Sequence, residues 1–134
     1  VRVLVDSSVI VAAVARPGVC TQFLDELVDG HVWLVSDFIL DEVARKLREK
    51  FNIPRAVIAE TIDRFTKLGE RVEAAVIPSG ECRDPEDIPI LGAAVGGDAD
   101  LLVTVDKDLL ELRAFRGIPI VKPGEAFRRL RGSP

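Results

Sequence analysis

The chain has 134 residues, 48% hydrophobic and 30% charged, and its 22 acidic and 18 basic residues give a net charge of −4. That length fits one domain, 1–134, with a core large enough to fold alone. The acidic balance argues against a protein that coats nucleic acid through a basic surface, and no apolar run approaches the roughly 18 residues that span a bilayer.

The first apolar run, Val1–Val5, is rich in β-branched residues and predicts a buried strand. Asp6 interrupts the apolar N-terminal stretch and no small-residue cleavage site follows, so a core strand and helix are expected there and not a signal peptide. Ser7 or Ser8 can cap a helix to about Ala15, closed by Pro17-Gly18. Thr21–Val28 carries apolar residues at helical spacing and Gly30 stops it; Val32–Val35 is a second strand. Ser36 or Asp37 then caps a helix to about Lys50, with Ile39, Leu40, Val43, Ala44, Leu47 and Phe51 on one stripe. Pro54 suits the first turn of a helix to Leu68, and Arg71–Ile77 reads as a third strand.

Pro85 opens a helix ended by Gly96-Gly97, where glycine accepts the left-handed conformation. Leu101–Thr104 is a fourth strand, Lys107–Leu112 a short helix, Ile118–Val121 a fifth strand, and Pro123 begins a terminal helix to Leu130. Strands alternating with helices imply a mainly parallel five-stranded sheet covered on both faces, a three-layer α/β/α sandwich. Right-handed crossovers bring the carboxyl ends of its strands to one side, where open α/β sheets bind ligands.

The residues available for chemistry are narrow in kind. His31 is the only histidine, so a histidine base and a zinc site are both disfavoured. Cys20 and Cys82 are too few for a disulfide framework and lack metal-ligand spacing; free thiols fit a cytoplasmic location. Gly92, Gly96 and Gly97 follow no strand and match no phosphate-binding loop.

Carboxylates remain. Asp6 directly follows the first strand and Asp106 stands two residues after the fourth; Asp84, Asp87 and Asp108 flank the last two helices of that region. Each has a local alternative role. Asp6 can cap the first helix, Asp84 before Pro85 is a good N-cap with Asp87 at the capping-box position, and Asp106 or Asp108 can cap the helix at Leu109. Glu42 lies about 140° from the centre of its helix's apolar stripe, and Asp41 beside it is the local alternative. Taken together, Asp6, Asp87 and Asp106 converge if the first and fourth strands are neighbours. Gathered carboxylates are unfavourable unless a cation neutralises them, and Mg²⁺ or Mn²⁺ prefers such oxygen ligands. Basic residues at Arg45, Lys46, Arg48 and Lys50, and between Arg113 and Arg131, are left to meet phosphates or to form a solvated face.

The segments VRVLVDSSVIVAA, SDFILDEVARKL, RDPEDIPILGAA and LLVTVDKDLLEL together resemble PIN-domain ribonucleases, over essentially the whole chain. Within that superfamily they are most similar to the VapC-like toxins of bacterial and archaeal toxin–antitoxin pairs. The resemblance implies a metal-dependent endoribonuclease whose four acids fall on Asp6, Glu42, Asp87 and Asp106. Asp6, Asp87 and Asp106 would hold Mg²⁺ or Mn²⁺, with Ser8 orienting Asp6, Thr104 the hydroxyl before the last acid, and Asp84 and Asp108 at the rim. Asp-Ser-Ser replaces the commoner Asp-Thr-Asn or Asp-Thr-Ser, and Val105 stands where glycine is frequent; neither change removes a ligand. The resemblance further implies an RNA substrate, a cognate antitoxin covering the acidic groove, and a homodimer using the apolar stripes of Thr21–Val28 and Pro54–Leu68. Two other readings compete: a structure-specific DNA nuclease, for which the chain lacks clamping insertions, and a receiver-like acidic module without hydrolysis.

Overall fold

The computed structural model describes residues 1–132; positions 133 and 134, the last two of the span expected as one domain, lie outside the described residues. In chain order the elements are β1 (Arg2–Val5), α1 (Ser7–Ala15), α2 (Val19–Val28), β2 (Val32–Val35), α3 (Asp37–Phe51), α4 (Arg55–Leu68) and β3 (Glu70–Arg71). Then come α5 (Ile88–Gly96), β4 (Leu101–Val103), α6 (Lys107–Leu112), β5 (Ala114–Phe115), β6 (Ile118–Val121) and α7 (Pro123–Leu130). Single 3-10 turns lie at Ser79–Glu81 and Pro85–Asp87.

The sheet has six strands in the order β3-β2-β1-β4-β6-β5. All pairs are parallel except β5 with β6. Helices cover both faces, giving the expected three-layer α/β/α sandwich. Val3, Leu4, Val5, Leu34, Val35, Leu102 and Val103 are buried on both faces, as parallel strands between helical layers must be. Trp33 packs at 5.1 Å against Phe65 of α4. No single helix among the described residues is long and apolar enough to cross a membrane.

Three expectations need correction. The sheet has six strands and not five, because Arg116-Gly117, both at positive φ (49° and 81°), turns the short β5 back onto β6. Two consecutive positive φ angles define the hairpin turn whose twist matches its strands. The expected third strand, Arg71–Ile77, shrinks to Glu70–Arg71. Its neighbour β2 ends at Val35, which accepts from Val72 N, and beyond that the chain turns onto α5, where Ala75 N donates to Gly92 O at 2.8 Å. Gly97 is not left-handed (φ −89°); Asp98 takes that conformation at φ 51°. Gly96 is required for another reason: a Cβ there would lie 1.9 Å from the Glu73 carbonyl oxygen. Glycine thus permits the close approach that lays the 72–77 segment on α5.

The order of the sheet positions the site. β1 runs out to β2 on one side and β4 on the other, so the strand order reverses between β1 and β4, and crevices form at such points. Pairing of Val5 with Val103 brings the two strand ends level, and Asp6 N donates to Val103 O at 2.9 Å.

Candidate acidic site

Asp6 is 3% exposed and leads into α1, but its side chain makes no cap hydrogen bond, and neither Ser7 nor Ser8 caps the helix. Its carboxylate serves another arrangement. Oδ2 accepts from Ser8 Oγ at 2.7 Å and from Thr104 Oγ1 at 2.8 Å. Those hydroxyls in turn accept backbone N–H groups of the loop after β4: Val105 N donates to Ser8 Oγ at 3.2 Å and Asp106 N to Thr104 Oγ1 at 3.0 Å. Each hydroxyl proton is spent on Asp6, so the loop and the acid are locked together. Asp6 Oδ1 is buried and has no hydrogen-bond partner among the described residues. A buried carboxylate oxygen left bare is costly unless something absent from the protein itself binds it.

Asp87 ends the 3-10 turn that Pro85 begins, is 7% exposed, and makes no cap bond either. Burial, and then the charges of Asp84, Asp106, Asp108 and Asp6 in that order, push its carboxyl up to about 6. Desolvation and like charges both disfavour its ionised form. All four of those neighbours are among the acids singled out in the sequence, so the fold does bring them within reach of Asp87.

The local roles survive for two of them. Asp84 Oδ1 accepts from Glu86 N at 3.0 Å, and Asp106 Oδ1 accepts from Asp108 N at 2.9 Å, capping α6. Asp84, Asp87 and Asp108 share a cleft of about 110 Å³ with Cys82, Arg83 and Leu112.

Glu42 stands on α3, where Ser36 Oγ caps the first turn by accepting from Ile39 N at 3.2 Å. Glu42 is half-buried and Asp41 exposed. Glu42 Oε1 accepts from Ser7 Oγ at 2.5 Å and pairs with Lys46 Nζ at 3.0 Å. Burial acts to raise its carboxyl; the hydrogen bonds from Ser7 and Lys46 and the charges of Lys46 and Arg45 outweigh that and hold it below the ordinary range. Both Asp41 and Glu42 line a groove of about 470 Å³ with Phe38, Arg45, Glu86 and Pro89. Ser7 and Lys46 were not foreseen. The i, i+4 spacing of Glu42 and Lys46 signalled their pairing, but nothing in the sequence placed Ser7 beside them.

The donor set suits a hard cation. Asp6 offers a bare oxygen and Asp87 and Asp106 offer further carboxylates; Cys82, which shares the cleft of Asp87, spends its thiol proton on the Asp84 carbonyl oxygen. Among the described residues, no group of three or more His, Cys, Asp or Glu side chains is placed to hold a metal ion. Mg²⁺ tolerates that, since it keeps several waters and takes one or two carboxylates.

A mainly parallel α/β sandwich with carboxylates over its central strand ends, and no histidine among them, defines an acidic-site α/β protein. The sequence model of the PIN domain family matches residues 2–108, and the chain belongs to that family, whose members are nucleases. Two solved structures share the fold. The structure of VapBC2 from Rickettsia felis, bound to a DNA fragment from its promoter, matches at TM-score 0.67 and 13% identity over 91% of this chain and 98% of that one. PAE2754 from Pyrobaculum aerophilum matches at TM-score 0.68 and 17% identity over 99% of this chain and 97% of that one. No curated protein matches the chain.

Proposed function

We propose that this chain is a single-domain, Mg²⁺- or Mn²⁺-dependent endoribonuclease, the toxin of a toxin–antitoxin pair acting in the cytoplasm. The observation that carries this reading is the carboxylate of Asp6: one oxygen is held by two hydroxyls and the other is buried and bare, and the Asp6 charge is among those that raise the Asp87 carboxyl. In this reading Asp6, Asp87 and Asp106 hold the cation and Glu42 completes the acidic ring. Ser8 and Thr104 fix Asp6, and Asp84 and Asp108 support the rim.

A bound divalent ion would lower the pKa of a water and offset charge on the scissile phosphate. The protein's own part is to fix Asp6, exclude a competing histidine base, and present carboxylates that orient water. A net-acidic groove also favours a partner with basic side chains, which fits control by a cognate antitoxin. For the homodimer, support comes from a depression of about 300 Å³ that Leu24 and Val28 of α2 share with Phe65 and Leu68 of α4. Val28 and Leu68 remain exposed there.

The test is cleavage of single-stranded RNA, with a matched DNA control, by purified protein in Mn²⁺ and in EDTA. RNA cleavage in Mn²⁺ that EDTA abolishes and Asp6→Asn removes is the expected result. Cleavage of DNA alone, or activity unchanged in Asp6→Asn, would overturn the reading.

A further inference from the structure

Glu42 of α3 is held by a set of partners of its own. Ser7, fully buried at the start of α1, donates its Oγ proton to Glu42 Oε1 and accepts from Lys46 Nζ at 3.1 Å. Lys46 Nζ also meets Glu42 Oε1 at 3.0 Å, so hydroxyl, ammonium and carboxylate close a three-membered ring. The Lys46 and Glu42 side chains are only 23% and 20% exposed, which sets them apart from the loose surface pairs of this chain. Oε1 is committed to two donors, one of them cationic, while Oε2 takes no hydrogen bond from the described residues. A divalent cation on Oε2 would face a like charge across a single carboxylate.

We propose that Ser7 and Lys46 are positioning residues that hold Glu42 outside the metal's ligand set and present its Oε2 to the attacking water. This inference rests on the nuclease reading above. Asp6, Asp87 and Asp106 then hold the cation side of the site while Glu42, its Oε1 paired with the Lys46 ammonium, serves the water side. In the step itself the water oxygen bonds to phosphorus and its proton passes to Glu42 Oε2. The P–O bond to the departing ribose breaks, and that oxygen takes a proton from solvent; Glu42 returns its proton to solvent afterwards.

Mn²⁺ affinity, read by electron paramagnetic resonance, and single-turnover RNA cleavage are measured on the full chain and its variants, each first checked for an unchanged melting transition. Asp6→Asn is expected to weaken Mn²⁺ binding by ~10²-fold or more, and Glu42→Gln and Lys46→Met by clearly less. Lys46→Met and Ser7→Ala should lower kcat by roughly 10-fold or more at constant KM, with Lys46→Arg restoring most of it. A Glu42→Gln loss of Mn²⁺ affinity as large as that of Asp6→Asn would put Glu42 among the metal ligands and overturn the proposal. An unchanged kcat in Lys46→Met, or no recovery in Lys46→Arg, would overturn the positioning role. Wild-type protein that binds Mn²⁺ but leaves RNA intact would sink the nuclease reading, while the Mn²⁺ comparison still decides whether Glu42 stands apart.

Discussion

The Thr104 hydroxyl donates to Asp6 Oδ2 across 2.8 Å, tying together the ends of two neighbouring strands from residues 98 apart in the chain. Thr104 Oγ1 in turn accepts from Asp106 N, so one buried hydroxyl sets both the acid after β1 and the loop after β4. Thr104→Val keeps the shape and removes both bonds. It should cost about 1–3 kcal/mol of stability, read by urea denaturation, and lower RNA cleavage in Mn²⁺. A variant as stable and as active as the parent would show that Ser8 alone suffices to hold Asp6.

The raised Asp87 carboxyl makes the metal-free protein sensitive to pH. An unfolded Asp loses its proton near 3.8, the folded one near 6. Between these values the folded state binds the extra proton, so stability falls as pH rises from about 4 to about 6. For this group the fall amounts to about 1–2 kcal/mol after allowance for solvent screening. A divalent cation offsets the burial of the ionised carboxyl and the repulsion of its acidic neighbours, and below pH 6 protons compete with the cation. Melting curves with and without Mn²⁺ should therefore show a larger stabilisation at pH 7.5 than at pH 5; equal stabilisation at both would separate Asp87 from the cation.

Asp106 carries two roles that substitution can part. Its Oδ1 caps α6 by accepting Asp108 N. Asparagine caps as well as aspartate, so Asp106→Asn should melt like the parent while losing Mn²⁺-dependent cleavage. Asp106→Ala should lose cleavage and roughly 1 kcal/mol besides. Cleavage retained in Asp106→Asn would reduce this residue to a cap.

Gly96→Ala tests the approach of the 72–77 segment to α5. The added methyl would sit 1.9 Å from a backbone oxygen, and backbone cannot swing aside as a side-chain end can. A loss of about 3 kcal/mol or more is expected, measured by chemical denaturation. A neutral effect would mean that this segment lifts away at little cost.

Much of this was legible in the sequence because the signals were local. Apolar runs of four or five residues marked β1, β2, β4 and β6, and Pro85 and Pro123 marked where helical turns begin. The strand ends, once placed, put Asp6 and Asp106 on one side of the sheet. What stayed hidden depended on partners. Val72–Ile77 looks like a strand, yet pairing depends on where β2 stops. The β5–β6 hairpin has strands too short to leave a periodic pattern, and only its Arg-Gly turn betrays it. The bond from Ser7 to Glu42 joins α1 to α3, and no spacing along the chain specifies it. Conversely, Asp6 resembled a helix cap by position, and only the hydroxyls donating to it show that its side chain turns the other way.

The parallel arrangement has a consequence for how this protein comes into being. β1 is made before β4, and that neighbour and the Thr104 hydroxyl arrive only after about a hundred further residues have been added. Chains emerging from the ribosome therefore carry Asp6 long before they carry the loop that sets it. Any activity that needs both strand ends is withheld by connectivity alone until β4 and the loop after it have been made and β4 has paired with β1.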